Sequence, residues 1–399
     1  MSVLPEPIAI RAAALVSALG TDWRTGCAAA RAGLRRAAPI AGAEGQSEVD
    51  GEDEPPIGHA MSLITHGFEG VPRLLRLLAA GLRDLRQQHP ALVQGNHATG
   101  ALLVLGARDR HLSAAALVDD AETARELAVE RERVVAERAR AADPAAGADD
   151  DVPPPHIETD PAALFGLAAK LAGYDDAPQL LGCLADNEVS GVVALHQAAQ
   201  LLAQQPAVLE RVIVVAVDSL LSEEDIAWLA STSRLKSAAV PAGLEPGEAC
   251  AAVLLERATG GERPLARVEA IAFALEPQAL EQGVSSSGQG FAQVLRGTVA
   301  NASAAALPCW IVSDHNGEPY AANDLALAIV KALPACPPLT DAVIMRPAVS
   351  FGDTGAVRPL LGLCVALAAF ERGYAPAPRA LVLAGGITRH RGALLVARS

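Results

Sequence analysis

Seven short, almost uninterrupted apolar runs recur along the chain. They are GALLVLGA (100–107), RVIVVAVDS (211–219), ACAAVLLER (249–257), CWIVSD (309–314), DAVIMRP (341–347), RALVLAGG (379–386) and GALLVAR (392–398). Runs of this length without polar alternation predict strands covered on both faces. VPRLLRLLAAGLRDLRQ (71–87) instead spaces its apolar residues every three to four positions and predicts a helix. The opening PIAIRAAALVSALGTDWRTGCAAARAGLRR (7–36) predicts strand, turn and helix. Asp22 stands where its side chain can accept from free amides of the first helical turn.

Residues 119–141 carry Glu and Arg at i,i+3 and i,i+4 spacing and predict an amphipathic helix, read as a cover or arm. The Pro- and Asp-rich stretch 142–161 behind it has no means of packing a core and reads as a linker. Elsewhere strands alternate with helices, which implies a layered α/β architecture. Two segments share one order. SGVVALHQAAQLLAQQPAVLERVIVVAVDS (190–219) and TGAVRPLLGLCVALAAFERGYAPAPRALVLAGG (354–386) each run from a small-residue helix through a Pro-containing connection into a buried strand. Lying about 165 residues apart, they suggest a duplicated fold with one central helix from each half.

The 399 residues allow a large core, built mainly from Ala, Leu and Val because aromatics make up only 3%. A net charge of −14 excludes a general nucleic-acid or anionic-membrane binder, which needs a basic face. No apolar run is long enough to span a membrane. The N-terminus lacks a basic leader region, so a mature cytoplasmic protein is expected. The six cysteines form no CxxC pair and are expected to be reduced and mostly buried; the nine histidines never reach metal-ligand spacing, so no metal or other cofactor is expected.

Four stretches resemble the thiolase fold, in particular the β-ketoacyl-ACP synthases (ketosynthases) of fatty acid and polyketide biosynthesis. VSALGTDWRTGCAAARAG resembles the ketosynthase opening. Residues 214–256 are similar to the segment leading into the family's Gly-Glu-Gly-Ala strand, with Glu248 and Ala249 at its core. SFGDTGAVRPLLGLCVALAAFERGYAP (350–376) resembles the Gly-His-Thr helix, and VLAGGITRHRGALLV (382–396) the closing Gly-Gly-Thr-Asn hairpin. The resemblance implies a five-layer α/β/α/β/α protein with two similar halves, 1–260 and 261–399, the first carrying the insertion at about 107–160. It also implies a dimer built on an edge strand, for which RVIVVAVDS suggests itself.

The resemblance also implies a chemistry: a cysteine thiolate at a helix N-terminus, two histidines that stabilise an enolate, and an ordering lysine. EVSGV (188–192) superposes on the family's Cys-x-Ser-Gly-Val with Glu188 in the cysteine place. Cys183 falls in the preceding strand and would break the Ser190-Gly191 match. His315 matches the first histidine, Asp353 replaces the second, Ala348 replaces the lysine and Ala384 the aromatic gate; Asn323 or Asp324 falls near a later aspartate. A carboxylate suits a helix N-terminus but forms no stable acyl intermediate. Asp353 would repel an enolate. Two close carboxylates are expected to push one pKa upward and share a proton, with His315 pairing either acid.

The expected function is therefore a non-condensing binding or scaffold subunit, either like a chain length factor beside an active ketosynthase or a stand-alone pseudo-ketosynthase. Its expected partners are such a synthase, an acyl carrier protein or a second copy. The alternative is an acyltransferase acting on acyl or malonyl thioesters, with His315 and Glu188 or Asp353 as acid and base. His196 on its apolar helix reads as a core histidine; GVSSSGQGF (283–291) reads as a surface loop whose amides could hold a phosphate; Arg31, Arg35 and Arg36 could form a basic patch for a carrier protein.

Overall fold

The computed structural model describes residues 7–40, 55–92, 98–107, 110–118, 160–258, 263–300 and 309–399, with Leu4 and a few positions between 122 and 133. The linker and most of the helix expected at 119–141 lie outside the described residues; within it, positions 125–130 are helical.

Twelve strands are present among the described residues: β1 (Ile8–Ser17), β2 (Ala38–Pro39), β3 (Ile57–Gly58), β4 (Thr99–Leu105), β5 (Gln179–Leu184), β6 (Arg211–Ser219), β7 (Glu248–Arg257), β8 (Ala266–Leu275), β9 (Cys309–Val312), β10 (Ile344–Met345), β11 (Arg379–Ala384) and β12 (His390–Arg398). The helices are α1 (Trp23–Arg31), α2 (Ser62–Thr65), α3 (Gly70–Gln88), α4 (Pro161–Leu171), α5 (Ser190–Gln204), α6 (Glu223–Ser231), α7 (Gln289–Ala300), α8 (Pro319–Ala332), α9 (Ala348–Phe351) and α10 (Arg358–Glu371). Asp22 caps α1 by accepting from the Thr25 amide at 2.9 Å, as its spacing implies. Asp160 caps α4 in the same way through Ala162.

Ten of the strands form one sheet in the order β10-β9-β11-β12-β8-β1-β7-β6-β4-β5. Read outward from its centre, each half repeats the other. β1-β7-β6 and β8-β12-β11 are antiparallel neighbours, and β6-β4-β5 and β11-β9-β10 are parallel ones. The twin units seen in the sequence occupy matching places, since α5 feeds β6 and α10 feeds β11, each third from its edge. The halves join where Ile8, Ala9 and Ile10 pair with Val268, Arg267 and Ala266.

Strand period decides the layers. In β6, Val212, Val214 and Ala216 face one core with α5 and α10, while Ile213, Val215 and Val217 face another with α3 and α4. In β11, Ala380 and Val382 share that central core, while Leu381 and Leu383 face a third with α7 and α8. Helices, half-sheet, two central helices, half-sheet and helices make the five layers. The central helices touch at their heads, where a Cβ on Gly191 would lie 2.8 Å from Leu360. A larger residue there would have to displace the Leu360 methyl.

Two expectations are corrected. RVIVVAVDS is not an edge strand: β6 is enclosed by β7 and β4 and its residues are buried apart from Arg211. The free edges belong to β5 and β10. The strand expected over 341–347 shrinks to two residues, because Pro347 starts a turn into α9. β8 and α4 were not evident in the sequence. ARVEAIAFAL mixes polar positions into its run and lost the signature of a strand covered on both faces.

Candidate functional site

The heads of both central helices open on one small cavity. Asn187 shapes the entry to α5: its Oδ1 accepts from the Val189 amide at 2.9 Å, and Ser190 Oγ accepts from its own amide at 3.2 Å. Glu188 then stands at the mouth of the helix. Its carboxylate packs on Gly386, where a Cβ would lie 2.3 Å from Glu188 Cδ, and accepts from Thr388 Oγ1 at 3.3 Å. Cys183 lies back on β5 with its residue exposed, away from the helix head.

Across the cavity, Arg358 starts α10 and reaches both acids. Its Nε lies 3.3 Å from Asp353 Oδ1, and its Nη2 lies 4.0 Å from Glu188 Oε1. The same Nε donates to the Gly355 carbonyl (3.2 Å), and Nη1 donates to that of Asp314 (3.3 Å). Asp353 is fully engaged: Oδ2 accepts from Asn316 Nδ2 at 2.7 Å, and Oδ1 from the Gly355 amide at 2.9 Å. Burial alone would raise its pKa, but Arg358, Asn316, the Gly355 amide and Arg234 outweigh burial and hold it below the ordinary value. The shared proton expected for Asp353 and Glu188 is therefore corrected. A guanidinium lies between the two carboxyls, and Asp353 stays ionised.

Two further arginines, the part-buried Arg110 and the buried Arg234, close the walls. Arg110 grips Asp218 through both oxygens, at 3.0 and 2.9 Å, and reaches Asp225 at 3.1 Å. Asp218 also accepts from the amides of Ala356 (2.9 Å) and Ser219 (2.8 Å). Arg234 grips Glu318 at 2.7 and 2.8 Å and lies 5.2 Å from the Trp228 ring centre. Asn316 joins the groups, donating to Glu318 at 2.7 Å as well as to Asp353. The space left among Glu188, Arg110, Asp218, Arg234, Asp353 and Arg358 is about 50 Å³, room for a few water molecules. A separate groove of about 400 Å³ with apolar walls from Val240, Pro241, Leu280, Pro319 and Tyr320 approaches from outside. Arg234 lines both spaces, so its pair with Glu318 stands between them.

The other two residues singled out in the sequence lie elsewhere. His315 and Ala348 line a neighbouring cleft, and His315 forms no hydrogen bond with Glu188 or Asp353. Its backbone amide donates to Ser313 Oγ and its Nδ1 accepts from the Gly317 amide at 3.3 Å. Burial, reinforced by Arg346 and opposed by Glu318, lowers its pKa. Asn316, one residue on, lines the same cleft and is the group that reaches Asp353. Asn316, Arg110, Arg234 and Arg358 were missed by sequence reasoning. Arg358 did leave a signal: it is the sole charge in the first three turns of an otherwise apolar helix. The arginine partners are distant in sequence and left none.

The remaining candidates resolve as follows. Asp324 is buried between Ser286 (2.6 Å) and Arg391 (2.8 Å), away from the cavity. Ala384 ends β11 and is buried. Segment 283–291 is no open phosphate loop. The carboxylate of the fully buried Glu276 takes the amides of Ser287 (3.1 Å) and Gly290 (2.7 Å) ahead of α7. Arg31 stacks 3.8 Å from the Tyr374 ring centre, whereas Arg35 binds Glu245, so the three arginines do not share one patch. His196 makes an edge contact with Phe273 at 5.8 Å. Cys27, Cys250, Cys336 and Cys364 are buried free thiols.

This architecture is the thiolase-like fold of ketosynthases. Solved structures similar to the chain include the Streptomyces albus JA3453 oxazolomycin ketosynthase domain, at 14% identity and TM-score 0.67, covering 99% of this chain and 75% of that one. A type II PKS acyl-carrier protein in complex with its ketosynthase matches at 12% and 0.69, covering 99% and 100%. The ishigamide ketosynthase/chain length factor matches at 17% and 0.63, covering 98% and 99%. No family profile and no curated protein sequence matches the chain.

Proposed function

We propose that the chain is a non-condensing ketosynthase-like subunit that acts by binding, as the partner of an active ketosynthase or carrier protein. The observation that carries this is the filled helix head. A carboxylate stands where a nucleophile would attack, and ion pairs leave about 50 Å³ around it. Neither a thioester nor an enolate finds a donor there, because the surrounding N–H groups already serve Asp353, Asp218 and Glu318. The acid–base alternative draws no support from the geometry: His315 faces another cleft, and an ionised Asp353 salted to arginine is a weak base.

Incubated with malonyl- and acyl-carrier protein, the chain is expected to keep its intact mass and release no carbon dioxide. Glu188→Cys is expected to remain inactive, since Asp353 and Ala348 persist and His315 lies outside the cavity. Acylation of the native chain or condensation by the variant, read by mass spectrometry, would overturn the proposal.

For the subunit contact, the free edge of β5 is the surface proposed. Leu180 and Leu181 are half-buried there, and the outer backbone groups have no strand partner among the described residues. Leu180→Lys is expected to abolish association while leaving the circular dichroism spectrum unchanged. Analytical ultracentrifugation of the chain, alone and with a ketosynthase, reads the outcome.

A further inference from the structure

The cleft that holds His315 and Ala348 is more basic than its surroundings. Its volume is about 140 Å³, and Arg35, Lys236 and Arg346 reach it from three separate segments. Glu245 is the one carboxylate among its lining residues. Glu245 receives Arg35 Nη2 and Lys236 Nζ, the latter at 2.8 Å, and stands 3.0 Å from Nε2 of the fully buried His59. Both Glu245 oxygens are thus occupied and its pKa is lowered, first by His59, with burial opposing and Arg35 and Lys236 assisting. Arg35 and Lys236 remain part-exposed, at 44% and 40% of their side chains, and Glu245 takes only one N–H direction from each. Arg346 is exposed and has no ion-pair partner among the described residues. Three cations against one carboxylate leave an excess of two positive charges, on a chain whose net charge is −14.

We propose that this cleft is an oxyanion site for a doubly charged phosphate group, held by Arg35, Lys236 and Arg346. Phosphate matches the charge excess and the forked N–H geometry of the two arginines. Ala348 contributes to the shape: with a single methyl it leaves its wall open. The exposed Val349 beside it offers an apolar ledge to a carbon chain attached to the phosphate. The site does not depend on the filled helix head or on any partner subunit, and it stands or falls separately from the proposed function.

Isothermal titration with inorganic phosphate and with n-butyl phosphate, at fixed ionic strength, tests the site. Saturable one-to-one binding is expected, weakened about tenfold by Arg346→Ala and by Lys236→Ala, since each removes a charge-assisted contact. Arg346 holds no structural partner among the described residues, so its replacement is expected to leave the melting temperature unchanged. Tighter binding of butyl phosphate assigns the site to a phosphate monoester through Val349, and equal binding assigns it to the free ion. No saturable binding of either probe, or binding that both substitutions leave intact, overturns the proposal.

Discussion

Replacing Arg358 by methionine is expected to cost about 3–5 kcal/mol of folding stability, because it strands the buried carboxylate of Asp353. Asn316 and the Gly355 amide would still hydrogen-bond Asp353, but no cation would remain in contact with it. The pH response is expected to change sign for this group. In the native chain Asp353 is held low, so its contribution is lost as pH falls through its folded pKa. In Arg358→Met burial would raise it, and the variant would gain stability on acidification. The double variant Arg358→Met with Asp353→Asn removes both charges and is expected to recover most of the loss, as buried pairs replaced together often do. Urea denaturation at pH 7 and pH 5 reads all three. A loss below about 1 kcal/mol for the single variant would show that the guanidinium is not the counter-charge assigned to it.

The second large effect lies outside the cavity and has the opposite direction. Asp84 on α3 is buried, and Oδ2 accepts from the amides of Leu15 (3.1 Å) and Trp23 (3.0 Å), while Oδ1 accepts from Gln88 (3.0 Å). Burial pushes its carboxyl up to about 6, against those three hydrogen bonds. Between the ordinary aspartate value of 3.8 and about 6 the folded state holds a proton that the unfolded chain has released. Stability from this group is thus complete below the lower value and declines as pH rises through the upper one. Asp84→Asn keeps an oxygen for both amides and is neutral throughout. It is expected to add about 1–3 kcal/mol at pH 7 and to flatten the profile between pH 4 and 6. Asp314, also pushed up to about 6 by burial, keeps its share of the slope. Unchanged stability at pH 7 would show that Asp84 titrates as an ordinary surface carboxylate.

What the sequence revealed follows a physical division. Strands covered on both faces announce themselves as apolar runs, so β4, β6, β7, β11 and β12 were legible, as was the twin arrangement of α5–β6 and α10–β11. β8 was hidden by Arg267 and Glu269, which sit on a strand with partly exposed positions. In the cavity, Glu188 and Asp353 were found by register against a family pattern, and both line it. Arg358 apart, the charges that complete it left no local trace, because their ion-pair partners are distant in sequence. Arg110 and Asp218 are 108 positions apart, and Arg234 and Glu318 are 84 apart. Asn316 was overlooked in favour of His315 because a pattern locates a turn more reliably than it says which of two adjacent side chains bonds Asp353.

The placement of β1 bears on how the chain emerges from a ribosome. Ile8–Ser17 is made well before both of its neighbours, β7 at Glu248–Arg257 and β8 at Ala266–Leu275. A ten-residue strand bare on both sides must therefore wait for some 230 further residues of synthesis. At ordinary elongation rates of about 5–20 residues per second that delay is tens of seconds or less, long enough for unpaired edges to meet other chains. Delayed pairing of β1, with its edges exposed meanwhile, follows from that topology, whatever the folded protein binds.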